Sequence, residues 1–309
     1  MKACTVLFLL LVGSLALAAA SATVMRSGDV DVGDGVRIHY VDRGDAGAPT
    51  TLLFVPGWAM TTAIWSDQMD RFAGSARVVS IDPRSQGMST VTPHSNTPEQ
   101  RARDLHKVIH ALSLRNVVLV GWSQGVQDVA AYAAQFSGDA IAGYVLVDAP
   151  VGAGAAASVA NPDALKQQLD RLVIYQEHPR EYLRGMMFAI IQSEEGRKRV
   201  DEYVRSGLRT PPDIGIAMLM MDFIAYDRRP ALAKFNRPTL IVAAAQSPEL
   251  ESQRAMAAQI AGARFATIDD AGHAVFIDQP QRFQELLAGF VATLTNAAAR
   301  PQQSSSGRR

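Results

Sequence analysis

The sequence predicts an α/β protein: a mostly parallel sheet flanked by helices, with a helical cap inserted between two of its strands. Three observations carry that reading. Short continuous apolar runs alternate with longer helical patterns, as strands buried on both faces and joined by crossover helices require. A serine between glycines, Gly121-Trp122-Ser123-Gln124-Gly125, stands between one such run and a helical pattern. The alternation then stops over residues 149–237, where helix-like segments follow one another.

From the N-terminus, Lys2 precedes an apolar run at 6–17 and the small residues Ala20-Ser21-Ala22, the order of a secretory signal with its cleavage site. Residues 1–22 are therefore expected to be removed, leaving a chain that starts at Thr23 and works outside the cytoplasm, secreted or periplasmic. The run is shorter than the roughly 20 residues of a spanning helix, so no stable membrane insertion is expected after cleavage. Cys4, the single cysteine, falls inside this segment, which leaves the mature chain to hold together by its core without a disulfide. At 29–43, Val36, Ile38 and Tyr40 follow the break Gly33-Asp34-Gly35, the pattern of an antiparallel hairpin at a sheet edge.

Apolar runs at 51–55, 77–81, 116–120, 144–147, 239–242 and 265–268 supply the parallel strands. The core is expected to comprise 23–149 and 238–298, with the cap at 150–237. Met186, Met187, Phe188, Met218, Met220, Met221, Phe223 and Tyr226 fall in the cap, and as a group they are expected to line an apolar pocket. The tail at 299–309 is polar and serine-rich, a composition that reads as disordered.

Composition limits the partners. The chain has 309 residues, 48% of them hydrophobic, enough for one large core. Its 30 basic and 30 acidic side chains balance without a long run of one sign, so nothing marks a nucleic-acid partner. A small-molecule substrate is expected, and oligomeric state is left open.

The chemistry centres on Ser123. A serine on a tight strand-to-helix turn needs small neighbours two residues before and after it, here Gly121 and Gly125. The turn sets the N–H of Gln124 at a helix N-terminus, where it can stabilise an oxyanion. Phe54-Val55-Pro56-Gly57-Trp58 ends an earlier strand, and the N–H of Trp58 is the candidate second donor. Asp270-Ala271-Gly272-His273-Ala274 follows the last apolar run; histidine can take and return the serine's proton near neutral pH, so His273 is the candidate base. His39, His94, His106, His110 and His178 sit in hairpin, loop, helix and cap positions that suggest structural or solvated roles.

These motifs resemble the α/β-hydrolase superfamily, in particular its capped esterase-like, lactonase-like and cofactor-free haloperoxidase-like members. The resemblance runs over about residues 36–294 and includes the loop at 82–89. It implies an eight-stranded sheet with the cap after the sixth strand, Ser123 as nucleophile, His273 as base, and the Trp58 and Gln124 amides as oxyanion hole. The chain departs from the family pattern where many members carry a histidine and this one has Pro56. It departs again after the seventh strand, where the usual aspartate position holds Ser247. An acid is needed to fix the imidazole tautomer. Asp148, after the sixth strand as in some members, is the first candidate, and Glu249 and Glu251 are the reserves.

No clustered His or Cys marks a metal site and no G-x-G-x-x-G follows a strand, so no cofactor is expected. The expected activity is ester or lactone hydrolysis through an acyl-enzyme. Perhydrolase or haloperoxidase-like activity would use the same triad, and a catalytically weak ligand-binding protein is the reading from a different class. A serine at the nucleophile position argues against epoxide hydrolases and haloalkane dehalogenases, which need a carboxylate there.

Overall fold

The computed structural model describes residues 25–136 and 140–298; the expected signal segment at 1–22 and the tail at 299–309 lie outside the described residues. Eight strands form one sheet: β1 (Met25–Asp31), β2 (Arg37–Arg43), β3 (Thr51–Val55), β4 (Arg77–Ile81), β5 (Val117–Trp122), β6 (Ile141–Val147), β7 (Thr239–Ala244) and β8 (Arg264–Ile268). Their spatial order is β1-β2-β4-β3-β5-β6-β7-β8. β2 runs antiparallel to both neighbours, and the other pairs are parallel.

Every residue of β3, β4, β5 and β7 is buried, whereas β1 alternates between exposed and partly covered positions. The difference follows from cover: helices pack on both faces of the inner strands, while the edge hairpin keeps one side in solvent. Within each inner strand, alternate side chains enter opposite cores. Leu52, Phe54, Val118 and Val120 go to one, and Leu53, Val55, Val117 and Leu119 to the other.

Helices α1 (Ser66–Phe72), α2 (Pro98–Ala111) and α3 (Gln124–Gln135) connect the first strands. Thr97 starts α2 by accepting the Gln100 N–H, with Pro98 just inside the helix, where its missing N–H is not needed. Six helices lie between β6 and β7: α4 (Gly154–Val159), α5 (Pro162–Glu177), α6 (Pro179–Ile190), α7 (Glu194–Arg197), α8 (Val200–Gly207) and α9 (Pro212–Leu219), followed by a π-helical turn, Met220–Ala225. α10 (Leu250–Gln259) joins β7 to β8, and α11 (Val275–Asp278) and α12 (Pro280–Ala298) follow. Among the described residues, no helix is long and apolar enough to cross a membrane.

The inserted helices differ from expectation in what their methionines do. Met187 and Met218 are fully buried in the same core as Trp58 and Trp65, and of the eight residues expected to line a pocket, Phe223 lines the cavity beside Ser123. At these two methionine positions a pliable thioether fills the seam between insertion and sheet.

Chain order reverses at β3, which has β4 on one side and β5 on the other. Loops leaving the carboxyl ends of β3 and β5 therefore diverge and open a crevice, the usual ligand position in such sheets.

Candidate active site

Ser123 leaves β5 and begins α3 with φ 56° and ψ −117°, a conformation that costs a non-glycine residue energy and persists only where the surroundings enforce it. The surroundings are tight. A Cβ on Gly121 would collide with the Gly125 carbonyl, and one on Gly125 would come 2.6 Å from the Val55 oxygen. A Cβ on Gly57 would lie 3.1 Å from that of Ser123. The sequence Gly-x-Ser-x-Gly is thus what lets the turn form, and Gly57 lets the loop after β3 close against it. That approach brings Trp58 beside the turn; its indole Nε1 donates to the Gly215 carbonyl at 2.8 Å, tying this loop to the inserted helices. Gln124 is the first residue of α3, so its N–H belongs to the first turn, which has no intrahelical acceptor.

His273 stands on the loop between β8 and α11, with Nδ1 2.8 Å from Oδ2 of Asp148. Against a carboxylate, Nδ1 carries the proton and Nε2 is left as the acceptor. The Asp148 side chain is 1% exposed and that of His273 31%: the carboxylate is buried behind the imidazole, which reaches the cavity. Asp148 follows β6 with φ 46°. Its N–H donates to Val242 O at 2.8 Å, and its Oδ1 accepts from Ala244 N at 2.9 Å and Gln253 Nε2 at 3.1 Å. The carboxylate is thereby aimed at the imidazole by the neighbouring strand and by α10.

The other acid candidates are elsewhere. Glu249 and Glu251 are exposed at the start of α10, where Glu251 faces Arg254 at 3.6 Å. Ser247, at the position where the family pattern puts its aspartate, accepts from Gln253 Nε2 at 3.3 Å. The same amide thus bridges Ser247 to Asp148.

Two further groups hold the histidine loop. Trp122 Nε1 donates to the His273 carbonyl at 2.9 Å. Asp278, buried, accepts from the N–H of Gly272 at 2.8 Å and from those of Gln192 at 3.0 Å and Ser193 at 2.8 Å, pinning the loop to the turn after α6. Gln253 and Asp278 carried no signal in the sequence reading. A buried glutamine on a mostly exposed helix and an aspartate five residues past His273 gain meaning only once their partners are near.

Ser123, Asp148 and His273 share one cavity of about 910 Å³, whose wall also includes Ile190, Phe223 and Arg171. The remaining histidines lie apart: His39 bonds Asp29 at 3.1 Å on the edge hairpin, and His106 stacks on Phe136 at 4.0 Å.

Comparison with known proteins agrees with this architecture. Residues 52–286 match the model of the alpha/beta hydrolase family. Among curated relatives, a bifunctional esterase/perhydrolase of Acinetobacter calcoaceticus is 34% identical over 143 residues, 46% of this chain and 51% of that protein. A non-heme haloperoxidase of Rhodococcus erythropolis is 34% identical over 121 residues, 39% of this chain and 43% of that protein. The chain thus spans about half the length of the curated relatives it matches. Among solved structures, an esterase from Exiguobacterium antarcticum superposes with a TM-score of 0.76 at 22% identity, covering 86% of this chain and 100% of that one. A bromoperoxidase from Bacillus anthracis gives 0.75 at 20%, with the same coverages. With the match extending from β3 into α12, the chain belongs to the alpha/beta hydrolase family.

Proposed function

We propose that the protein is a serine hydrolase of carboxylic esters or lactones. Ser123 Oγ attacks the carbonyl carbon while His273 Nε2 takes its proton, and Asp148 stabilises the imidazolium that forms. The oxyanion accepts hydrogen bonds from the N–H groups of Trp58 and Gln124. Collapse expels the alcohol, which leaves with the proton from His273, and the acyl group stays on Ser123. Water, deprotonated by the same nitrogen, then attacks the acyl-enzyme and releases the acid.

One observation carries the reading: a buried carboxylate 2.8 Å from the imidazole of a half-exposed histidine that shares a cavity with a serine on a strained turn. Kinetics with p-nitrophenyl esters and simple lactones test it. Turnover by the wild type, reduced at least about 10⁴-fold in Ser123→Ala, is expected; a folded protein that hydrolyses none of them is instead a binding protein on this fold.

The curated relative described as an esterase/perhydrolase favours a second activity at the same residues. In it hydrogen peroxide replaces water as the nucleophile on the acyl-enzyme, and a peracid leaves instead of the acid. Peracid formation from ester and peroxide by the wild type, absent in Ser123→Ala, is the matching result.

A further inference from the structure

Gln124 contributes more than a backbone amide. Its side chain is fully buried; Nε2 donates to Oδ2 of Asp222, and Oε1 accepts from Gln86 Nε2 at 3.3 Å. Asp222 belongs to the inserted helices, in the π-helical turn, and is 0% exposed. Its other oxygen accepts from Arg101 Nη2, on α2, at 2.8 Å. Arg101 Nε in turn donates to Asp128 at 2.8 Å, and Asp128 lies on α3 one turn beyond Gln124. The contacts close a ring: first turn of α3, insertion, α2, and back to α3.

Asp222 is itself fixed from behind. Arg228 Nη1 donates to its carbonyl at 2.9 Å and to that of Met221 at 2.8 Å. A Cβ on Gly152 would come within 2.6 Å of the same carbonyl. A buried ion pair of this kind is weak evidence for stability, since apolar side chains of equal volume commonly serve as well. Register is what it supplies here, and the element it registers is the turn that carries the Gln124 N–H. π-helical turns often mark functional positions.

We propose that Asp222 is a positioning residue for the oxyanion hole. Through the Gln124 side chain it holds the first turn of α3 in the orientation that the tetrahedral intermediate needs, so that correct seating of the inserted helices becomes a condition of turnover. The inference rests on the hydrolase reading above and adds to it a residue from outside the strand ends. Because a donor is loosened rather than removed, the expected effect is smaller than the 10²- to 10³-fold typical of losing one.

The decisive variant is Gln124→Met, which keeps side-chain length, the backbone N–H and the Asp222–Arg101–Asp128 contacts while deleting the amide. For p-nitrophenyl butyrate, kcat should fall about tenfold with KM within about twofold, the pattern of an interaction made in the transition state. Asp222→Ala should lose a similar factor, and Asp222→Asn, which keeps one acceptor for Gln124 but turns its NH2 toward Arg101, should recover part of it. The double variant Gln124→Met/Asp222→Ala should be no slower than the slower single one, because both cut the same tether. A Gln124→Met enzyme with kcat within about twofold of wild type, or losses that multiply in the double variant, overturns the proposal while wild-type turnover keeps the hydrolase reading. If Asp222→Ala does not fold, Gln124→Met and Asp222→Asn decide. A wild type that turns over no ester overturns both.

Discussion

Two buried carboxylates serve the Ser123 turn, one from the strand ends and one from the inserted helices, and their partners differ in kind. Asp148 takes neutral donors on one oxygen, the Ala244 N–H and the Gln253 amide, and offers the other to His273, which opens onto the cavity. Asp222 meets Arg101, a permanent cation 2% exposed that is shared with Asp128. A carboxylate among neutral donors can respond when its partner gains a proton, as His273 would in the proposed attack. One clamped by a guanidinium can only hold position. Burial alone therefore does not mark a catalytic acid; the titratable partner with a path to substrate does.

The comparison breaks most visibly at Asp148. Asp148→Asn should leave the fold intact and lower kcat by about 10³ to 10⁴, because an amide favours the wrong imidazole tautomer. Glu249→Gln and Glu251→Gln, on the exposed start of α10, should change turnover less than about twofold. A near-normal Asp148→Asn with a large loss in either glutamate variant would move the role past the seventh strand.

On the other side the expected effect is smaller and falls on stability. Burial pushes Asp128 up to about 7 and raises Asp222 as well, outweighing the Arg101 and Arg228 guanidiniums, which lower both. Asp128 Oδ2 has no hydrogen-bond partner among the described residues, so a proton there displaces none. In the unfolded chain an aspartate loses its proton near 3.9. Asp128's contribution is thus fully present below that value and is lost as pH rises through about 7, because over this window the folded state binds more protons. Tm should accordingly drop between about pH 4 and about pH 7, and Asp128→Asn should flatten that part of the slope. An unchanged slope in the variant would show that Asp128 is ionised throughout.

The same contrast explains what could be read in advance. Strands β3 and β4 begin and end where the apolar runs do, because burial on both faces keeps most of their residues apolar. β6 starts three residues earlier than its run, at Ile141, because Gly143 hides the pattern. It is glycine for packing: a Cβ there would sit 2.9 Å from Leu294 and 3.0 Å from Phe290 of α12. Ser123 was visible because its turn dictates its neighbours. Gln253 and Asp222 were not, because their meaning depends on partners 105 and 98 residues away. Sequence leaves the acid open between Asp148 and two glutamates for the same reason; in the fold Asp148 lies 2.8 Å from His273 and the glutamates are exposed. Composition does not separate filler from pocket wall: Met187 and Met218 are core, whereas Phe223 lines the cavity.

In the proposed mechanism His273, oriented by Asp148, activates Ser123. A fluorophosphonate probe with intact-mass readout and peptide mapping tests it most directly, since the probe phosphonylates a serine only where a base has made it nucleophilic. One adduct, on Ser123, is expected in the wild type and none in Ser123→Ala. Folded wild type that takes up no probe, or an adduct that persists in Ser123→Ala, would contradict it.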